Sequence, residues 1–255
     1  MAIFSKNYTV GISDISQNTS ITNIGILNIF EDIACRHSDK TGYGILDIPQ
    51  TNLSWILLAW KVKILKRVSY GDVLKVNTWS RGSKKVYTYR EFEVYDETGT
   101  LVCIASSKWT LINTVKNSIT PITDEIISCY EPEDKSVFEN PNIDKIVEPE
   151  NYDLSFKYTV QRRDIDVNHH MNNINYLNVA YEFLPDDIYF ANECNNIEIM
   201  YKKGIKLGET VNCLYCKKDD TNYVTIKSDD LKSLHAIVKL YWKRWFFFEV
   251  THCLM

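Results

Sequence analysis

The chain has no apolar run near the ~20 residues that a membrane-spanning helix requires, so no membrane span is expected. Its opening, MAIFSKNYTV, has no apolar stretch of the signal-peptide kind, and that predicts a protein kept in the cytoplasm. Basic residues are not in excess. Lys and Arg number 29 against 33 Asp and Glu, a net charge of −4, so nothing draws the chain to nucleic acid in general. Cysteine is present in an odd number, seven, with no export signal, which suggests reduced thiols. Cys213 and Cys216 have C-x-x-C spacing, but on a strand they project from opposite faces and cannot share a metal or a disulfide. His169-His170 is too short to hold a metal alone, and Thr41-Gly42-Tyr43-Gly44 lacks the Gly-Lys-Ser/Thr ending of a phosphate loop. No metal and no cofactor are therefore expected. Proline is sparse outside one window: four of the six fall between Pro121 and Glu150. That window also holds nine acidic residues, with only Lys135 and Lys145 as bases. It reads as a linker over 121–150, between a first domain at 1–120 and a second at 151–255.

What the chain does have is a repeat. Tyr8-Thr9-Val10 returns 150 positions later as Tyr158-Thr159-Val160. In the same ungapped frame Asp14, Ile15, Asn18, Asn23, Ile24, Leu27 and Asn28 match Asp164, Ile165, Asn168, Asn173, Ile174, Leu177 and Asn178, ten identities in 21 positions. A duplication of this kind predicts two copies of one structural unit. The copies differ where it matters for chemistry: Ser16 stands opposite Asp166, and Ser20 opposite His170.

Each copy opens with an extended stretch, Phe4 to Ile12 and Leu154 to Arg162, then a polar loop and a helix. Ile24, Leu27, Phe30 and Ala34 recur at helical spacing in the first copy, with the helix reaching His37. Ile174, Leu177, Tyr181 and Leu184 do so in the second, ended by Pro185. Strands follow: Trp60 to Thr78 broken at Tyr70-Gly71-Asp72, Val86 to Tyr95 and Leu101 to Leu111, then in the second copy Ile197 to Lys206, Thr210 to Cys216, Tyr223 to Lys227 and Leu234 to Trp242. The turns at Gly71 and Gly208 correspond at an offset of 137, so the second copy lacks a counterpart of Gly42 to Ser54. One apolar helix with a curled antiparallel sheet around it is an α+β unit. Two such units pack edge to edge or back to back, hiding their edge strands. Trp245 to Met255, with Phe246-Phe247-Phe248 and Val250, reads as a last strand.

The segment Asp164 to Asn173 carries the chemistry. In extended backbone Asp166, Asn168 and His170 share one face, with Val167, His169 and Met171 on the other. A helix beginning at about Asn172, capped by that residue, presents free amides able to hold an oxyanion. A carboxylate, an amide and an imidazole beside such amides suit attack of water on an acyl carbon, with the carboxylate or the imidazole as base.

These residues resemble the second-domain motif of the acyl-ACP thioesterases, D-x-D-x-N-x-H-[VM]-N-N-x-x-Y, which Asp164, Asp166, Asn168, His170, Met171, Asn172, Asn173 and Tyr176 fit in order. Glu182, the stretch Glu31 to Gly44, Trp79 and Ser106-Ser107-Lys108-Trp109 extend the likeness up to about Trp242. The resemblance implies two tandem HotDog domains and hydrolysis of a fatty acyl thioester on acyl carrier protein. It implies catalytic roles for Asp166, Asn168 and His170, and an acyl tunnel supplied largely by the first domain. Expected substrate-binding residues are Asn172, Asn173, Ile24, Leu27 and Trp55, with Ile33 and Ile56 as further apolar candidates. Relatives carry a Glu, and plant members then a Cys, just after a Tyr-Lys/Arg-Lys/Arg strand; here Tyr201-Lys202-Lys203 leads to Gly204 and Ile205. A cysteine nucleophile at that place is thereby excluded, and water attack is expected. Two basic groups, Lys202, Lys203 and Lys206, and Lys61, Lys63, Lys66 and Arg67, are candidate docking faces for an acidic carrier. Acyl-CoA hydrolysis, non-catalytic acyl binding and a dehydratase are the alternatives on this scaffold. A tandem pair is expected to act as a monomer or a homodimer.

Overall fold

In the computed structural model, which describes residues 2–191 and 194–242, the two copies follow one plan. The first has β1 (Phe4–Thr9), a 3₁₀ turn at Ile12–Asp14, α1 (Asn23–Thr41), α2 (Ile48–Thr51), β2 (Leu53–Ile64), β3 (Val73–Ser80), β4 (Tyr87–Tyr95) and β5 (Leu101–Asn113). A short strand β6 (Ser118–Thr120) and helix α3 (Asp124–Ser128) follow. The second has β7 (Leu154–Thr159), a 3₁₀ turn at Arg162–Asp164, α4 (Asn173–Glu182), α5 (Asp186–Ala191), β8 (Asn196–Tyr201), β9 (Thr210–Lys218), β10 (Thr221–Ser228) and β11 (Leu234–Tyr241). The tail read as a last strand lies outside the described residues.

The strand order is β1-β3-β4-β5-β2-β8-β11-β10-β9-β7, antiparallel throughout, with β6 added to β5. Read from either end, each half gives the same order, so the duplication survives as a pseudo-two-fold. The register carries both offsets: Thr9 lies opposite Val73, and Thr159 opposite Thr210. The copies meet edge to edge where β2 pairs with β8, from Ala59 opposite Met200 to Lys63 opposite Asn196. That pairing leaves β8 buried along nearly its whole length.

Local chemistry sets the helices. Thr22 Oγ1 accepts from the Gly25 amide at 2.9 Å and starts α1. Gly42, at φ 78°, ends it with a left-handed residue whose N–H bonds Ser38 O. The helix therefore runs one turn past the expected His37. Asn172 Oδ1 accepts from the Ile174 amide at 2.8 Å and starts α4, the cap read from the sequence. One apolar core spans both halves. Phe30 on α1 packs against Trp60 and Phe92 at ring separations of 5.9 and 4.7 Å, and the same cluster runs on through Leu177, Ile199 and Val238. Residues 121–150 bury Ile122, Ile126, Ile127, Tyr130 and Ile146. The Tyr130 hydroxyl accepts from Trp55 Nε1 at 2.9 Å and donates to Ser38 Oγ at 3.1 Å.

Candidate active site

The loop before α4 is a closed turn and not the extended segment expected from alternation. The Asp166 amide bonds His170 O at 2.9 Å, the His169 amide bonds Asp166 O at 3.1 Å, and His169 has φ 60°. The first copy folds the same turn from Ser16 to Ser20, with Thr19 at φ 58°. Ile15 bridges Ile21 as Ile165 bridges Met171. Alternation fails because a hairpin this tight turns side chains by backbone dihedral, not by strand pleat. Val167 consequently sits at the same cavity as Asp166 and Asn168 instead of facing away.

Asp166 organises this turn. Its Oδ1 accepts from the Asn168 amide at 2.8 Å and the His170 amide at 3.4 Å, and Oδ2 lies 3.4 Å from Asn168 Nδ2. His170 Nδ1 lies 2.9 Å from Asn168 O. A carbonyl only accepts, so Nδ1 carries the proton and a neutral ring presents Nε2 as its basic nitrogen. The ring rests on Gly204. A Cβ there would lie 2.8 Å from His170 Cδ2. Gly204, the place where the resemblance implies a carboxylate in other members, is thus covered by imidazole.

A cavity of about 650 Å³ opens between the halves, within the ~300–1,000 Å³ range of ligand pockets. The second copy contributes Ile165, Asp166, Val167, Asn168, Asn172 and Asn173 to its wall. The first contributes Glu31, Ala34, Cys35 and Ser38 from α1, Tyr43, Gly44, Ile45 and Ile48 beyond it, Ser54 and Trp55 from β2, and Trp109 from β5. Much of that wall is the segment for which the second copy has no counterpart. The inner surface also includes Ser80, Thr88, Arg90 and Tyr130. Arg90 is buried and directs Nη1 to His37 Nδ1 at 2.9 Å and Thr78 Oγ1 at 3.3 Å. Burial, with the guanidinium beside it, pushes His37 down to about 3, so the ring is neutral and accepts.

Of the residues singled out in the sequence, Asp166, Asn168, Asn172, Asn173 and Trp55 border the cavity. His170 joins them through the loop rather than the wall. Ile24 and Leu27 do not line it. Leu27 is wholly buried in the core, and Ile24 borders a second recess of about 380 Å³ between Ser16, Asn18 and α4. Helical periodicity marks the apolar face of α1 but does not say which part of it meets core and which meets cavity. Ile33 is likewise core. Glu31 was missed, although the sequence held a signal: an acid at the i+4 position from Leu27, on a stripe otherwise apolar. Its Oε1 is closed to solvent and has no hydrogen-bond partner. Burial, then the charge of Asp166, pushes its carboxyl up to about 8.

Family models for the acyl-ACP thioesterase N-terminal domain and C-terminal domain match residues 1–130 and 147–243. The chain belongs to the acyl-ACP thioesterase family. Among curated relatives it is similar to an oleoyl-acyl carrier protein thioesterase of Arabidopsis thaliana chloroplasts, 26% identical over 226 residues. That match covers 82% of the chain and 60% of the relative, so the chain spans less than two thirds of that relative's length. The fold matches the crystal structure of an acyl-ACP thioesterase from Bacteroides thetaiotaomicron, with TM-score 0.83, 20% identity, and 95% and 98% of the two chains covered. It also matches a 12:0-ACP thioesterase from Umbellularia californica, with TM-score 0.83, 19% identity and the same coverage. Within the family, the tandem HotDog architecture accounts for the pseudo-two-fold sheet and for its paired helices α1 and α4.

Proposed function

We propose that this chain hydrolyses the thioester of a fatty acyl group carried on acyl carrier protein. The observation that carries the reading is the Asp166–Asn168–His170 turn, which sets Asp166 and Asn168 in the wall of a mainly apolar cavity, in a chain of this family. The acyl chain lies in the cavity and the thioester at the turn. Asp166 takes a proton from the attacking water, and Asn168 orients that water. His170, its tautomer set by Asn168 O, lies beside them with Nε2 as a second proton acceptor. The start of α4 faces the developing oxyanion with its helix dipole. No cysteine is needed: Gly204 and Ile205 offer none, and burial pushes the thiol of Cys35, which lines the cavity, up to about 11.

Carrier docking is proposed at the second-domain basic group. Lys202, Lys203 and Lys206 are exposed around the Gly204 seat of His170. Lys108 is lowered by burial and then by the charges of Lys202 and Lys84, so several lysines cluster there. The first-domain group is already engaged. Arg67 turns inward to Ile21 O and Cys194 O, each at 2.9 Å, Lys66 pairs with Asp96, and Lys61 lies over Phe138. No described helix is long and apolar enough to cross a membrane. The proposal places the protein in the cytoplasm, consistent with the free thiols among the described residues. It acts as a monomer or a homodimer, its β2 and β8 edges being paired within the chain.

The test offers acyl-ACP and acyl-CoA of several chain lengths and follows thiol release. Release from the ACP substrate supports the reading. Release from CoA alone transfers it to acyl-CoA hydrolysis, and tight acyl binding without release makes the chain a binding protein. Changing Lys202 and Lys203 to Glu is expected to raise KM for acyl-ACP but not for a short acyl-CoA; equal effects on both remove the docking assignment.

A further inference from the structure

Among the described residues, Glu31 is the one carboxyl that the first domain places in the wall facing the Asp166 turn. A buried carboxyl oxygen with no hydrogen-bond partner is costly to keep and points to a group that finds its partner in a ligand. The titratable groups that face Glu31 are Asp166 from the loop before α4, Tyr201 at the end of β8 and Cys35 one turn along α1. The pseudo-two-fold supplies a comparison within the molecule. The position equivalent to Glu31 in the second copy is Tyr181. In the matching recess its hydroxyl accepts from Asn23 Nδ2 at 2.5 Å, and the facing turn holds Ser16 where the other holds Asp166. The recess that has a carboxylate in its turn also has one on the opposing helix, and the recess that lacks the first has Tyr181 at the equivalent helix position. At Gly204 a side chain would meet the His170 ring from its Cβ onward, 2.8 Å from Cδ2.

We propose that Glu31 is a second catalytic carboxyl of this site, delivered across the domain interface, and that it protonates the departing sulfur; this rests on the thioesterase reading above. Its upward shift to about 8 agrees with a carboxyl that holds a proton at neutral pH. Water adds to the acyl carbon while one of its protons passes to Asp166, and the carbonyl electron pair moves to oxygen. That pair then re-forms the C=O bond, the C–S bond breaks with its electrons on sulfur, and the Glu31 proton goes to the sulfur. Asp166 now holds the proton from water and Glu31 holds none, so transfer between the two restores the starting state. The products are a fatty acid and a carrier thiol, with water the only co-reactant.

The test uses the full chain and one fatty acyl group on two thiols, the alkyl thiol of pantetheine and thiophenol, whose lower thiol pKa makes it a better leaving group without a proton. Glu31→Gln is expected to lose ~10²-fold in kcat on the alkyl thioester and no more than roughly 5-fold on the aryl thioester. Glu31→Asp, which keeps an acid, is expected to retain more alkyl-thioester turnover than Glu31→Gln. Equal losses on the two thioesters, or equal losses in the Asp and Gln variants, overturn the assignment while leaving the thioesterase reading intact. A wild-type protein that releases neither thiol overturns both. Both rates come from one preparation of each variant, so a folding defect lowers them together and does not imitate the expected pattern.

Discussion

Ser16 and Asp166 close the same turn in the two copies with different atoms. Ser16 Oγ accepts from the Asn18 amide at 3.4 Å, and Asp166 Oδ1 accepts from the Asn168 amide at 2.8 Å. The first copy therefore shows that a serine supports the turn, and Asp166→Ser separates structure from chemistry. The variant is expected to keep a thermal midpoint near wild type while turnover falls ~10²-fold or more; normal turnover would remove Asp166 from the mechanism. Gly204→Ala tests His170 in the same way. The added methyl meets the imidazole rather than the backbone, so the ring shifts and kcat drops while the fold persists. Unchanged kcat with a displaced ring in the variant's structure would remove the imidazole from the chemistry. Glu31 leaves a trace in stability as well. Its carboxyl ordinarily titrates near 4.5 and is raised to about 8 in the fold. The folded state then holds a proton that the unfolded chain releases, so this contribution to stability is complete below about 4.5 and is lost as pH rises through about 8. Glu31→Gln is expected to raise the thermal midpoint above pH 8 and to leave it near wild type at pH 4, as read by circular dichroism melts.

At the scale of elements, the asymmetry between the copies makes the cavity. α1 runs for 19 residues and α4 for 10, and β2 for 12 against 6 for β8. The extra helical turns, α2 and the early part of β2 bring Cys35, Ser38, Tyr43, Ile48, Ser54 and Trp55 to the wall. A duplication alone gives two equal recesses; the longer helix–strand connection of the first copy makes one of them the larger cavity, the proposed acyl site. Cys35→Phe is expected to fill part of this space and shift the preference to shorter acyl chains by ~10-fold or more in relative kcat/KM, since a methylene in an apolar pocket is worth roughly 1–3 kcal/mol. An unchanged chain-length profile would mean that the acyl group lies elsewhere.

For the whole molecule, the β2–β8 pairing and the shared core join the halves into one sheet with one interior. Domains so joined should not unfold separately. Among the described residues, Trp55, Trp60, Trp79 and Trp109 belong to the first half and Trp242 to the end of the second. Tryptophan fluorescence thus reports mainly the first half, and far-ultraviolet circular dichroism reports both. The two probes are expected to give one coincident denaturant transition. Two separated midpoints would show that the halves are independent.

The amino-acid sequence by itself determined the duplication, the α+β plan, the capping of α4 at Asn172 and the motif from Asp164 to Tyr176, because each is written in local spacing or in residues that recur in order. Turn backbone decided otherwise at Val167, where period-two reasoning does not apply, and at Leu27, where one apolar stripe serves core and cavity alike. Tertiary structure alone decided that the copies join through β2 and β8, that His170 rests on Gly204, and that Glu31 meets the Asp166 turn. These contacts join residues more than 30 positions apart, the first and the last of them across the pseudo-two-fold and the His170–Gly204 contact within the second copy, and no local pattern encodes which of these distant residues will meet.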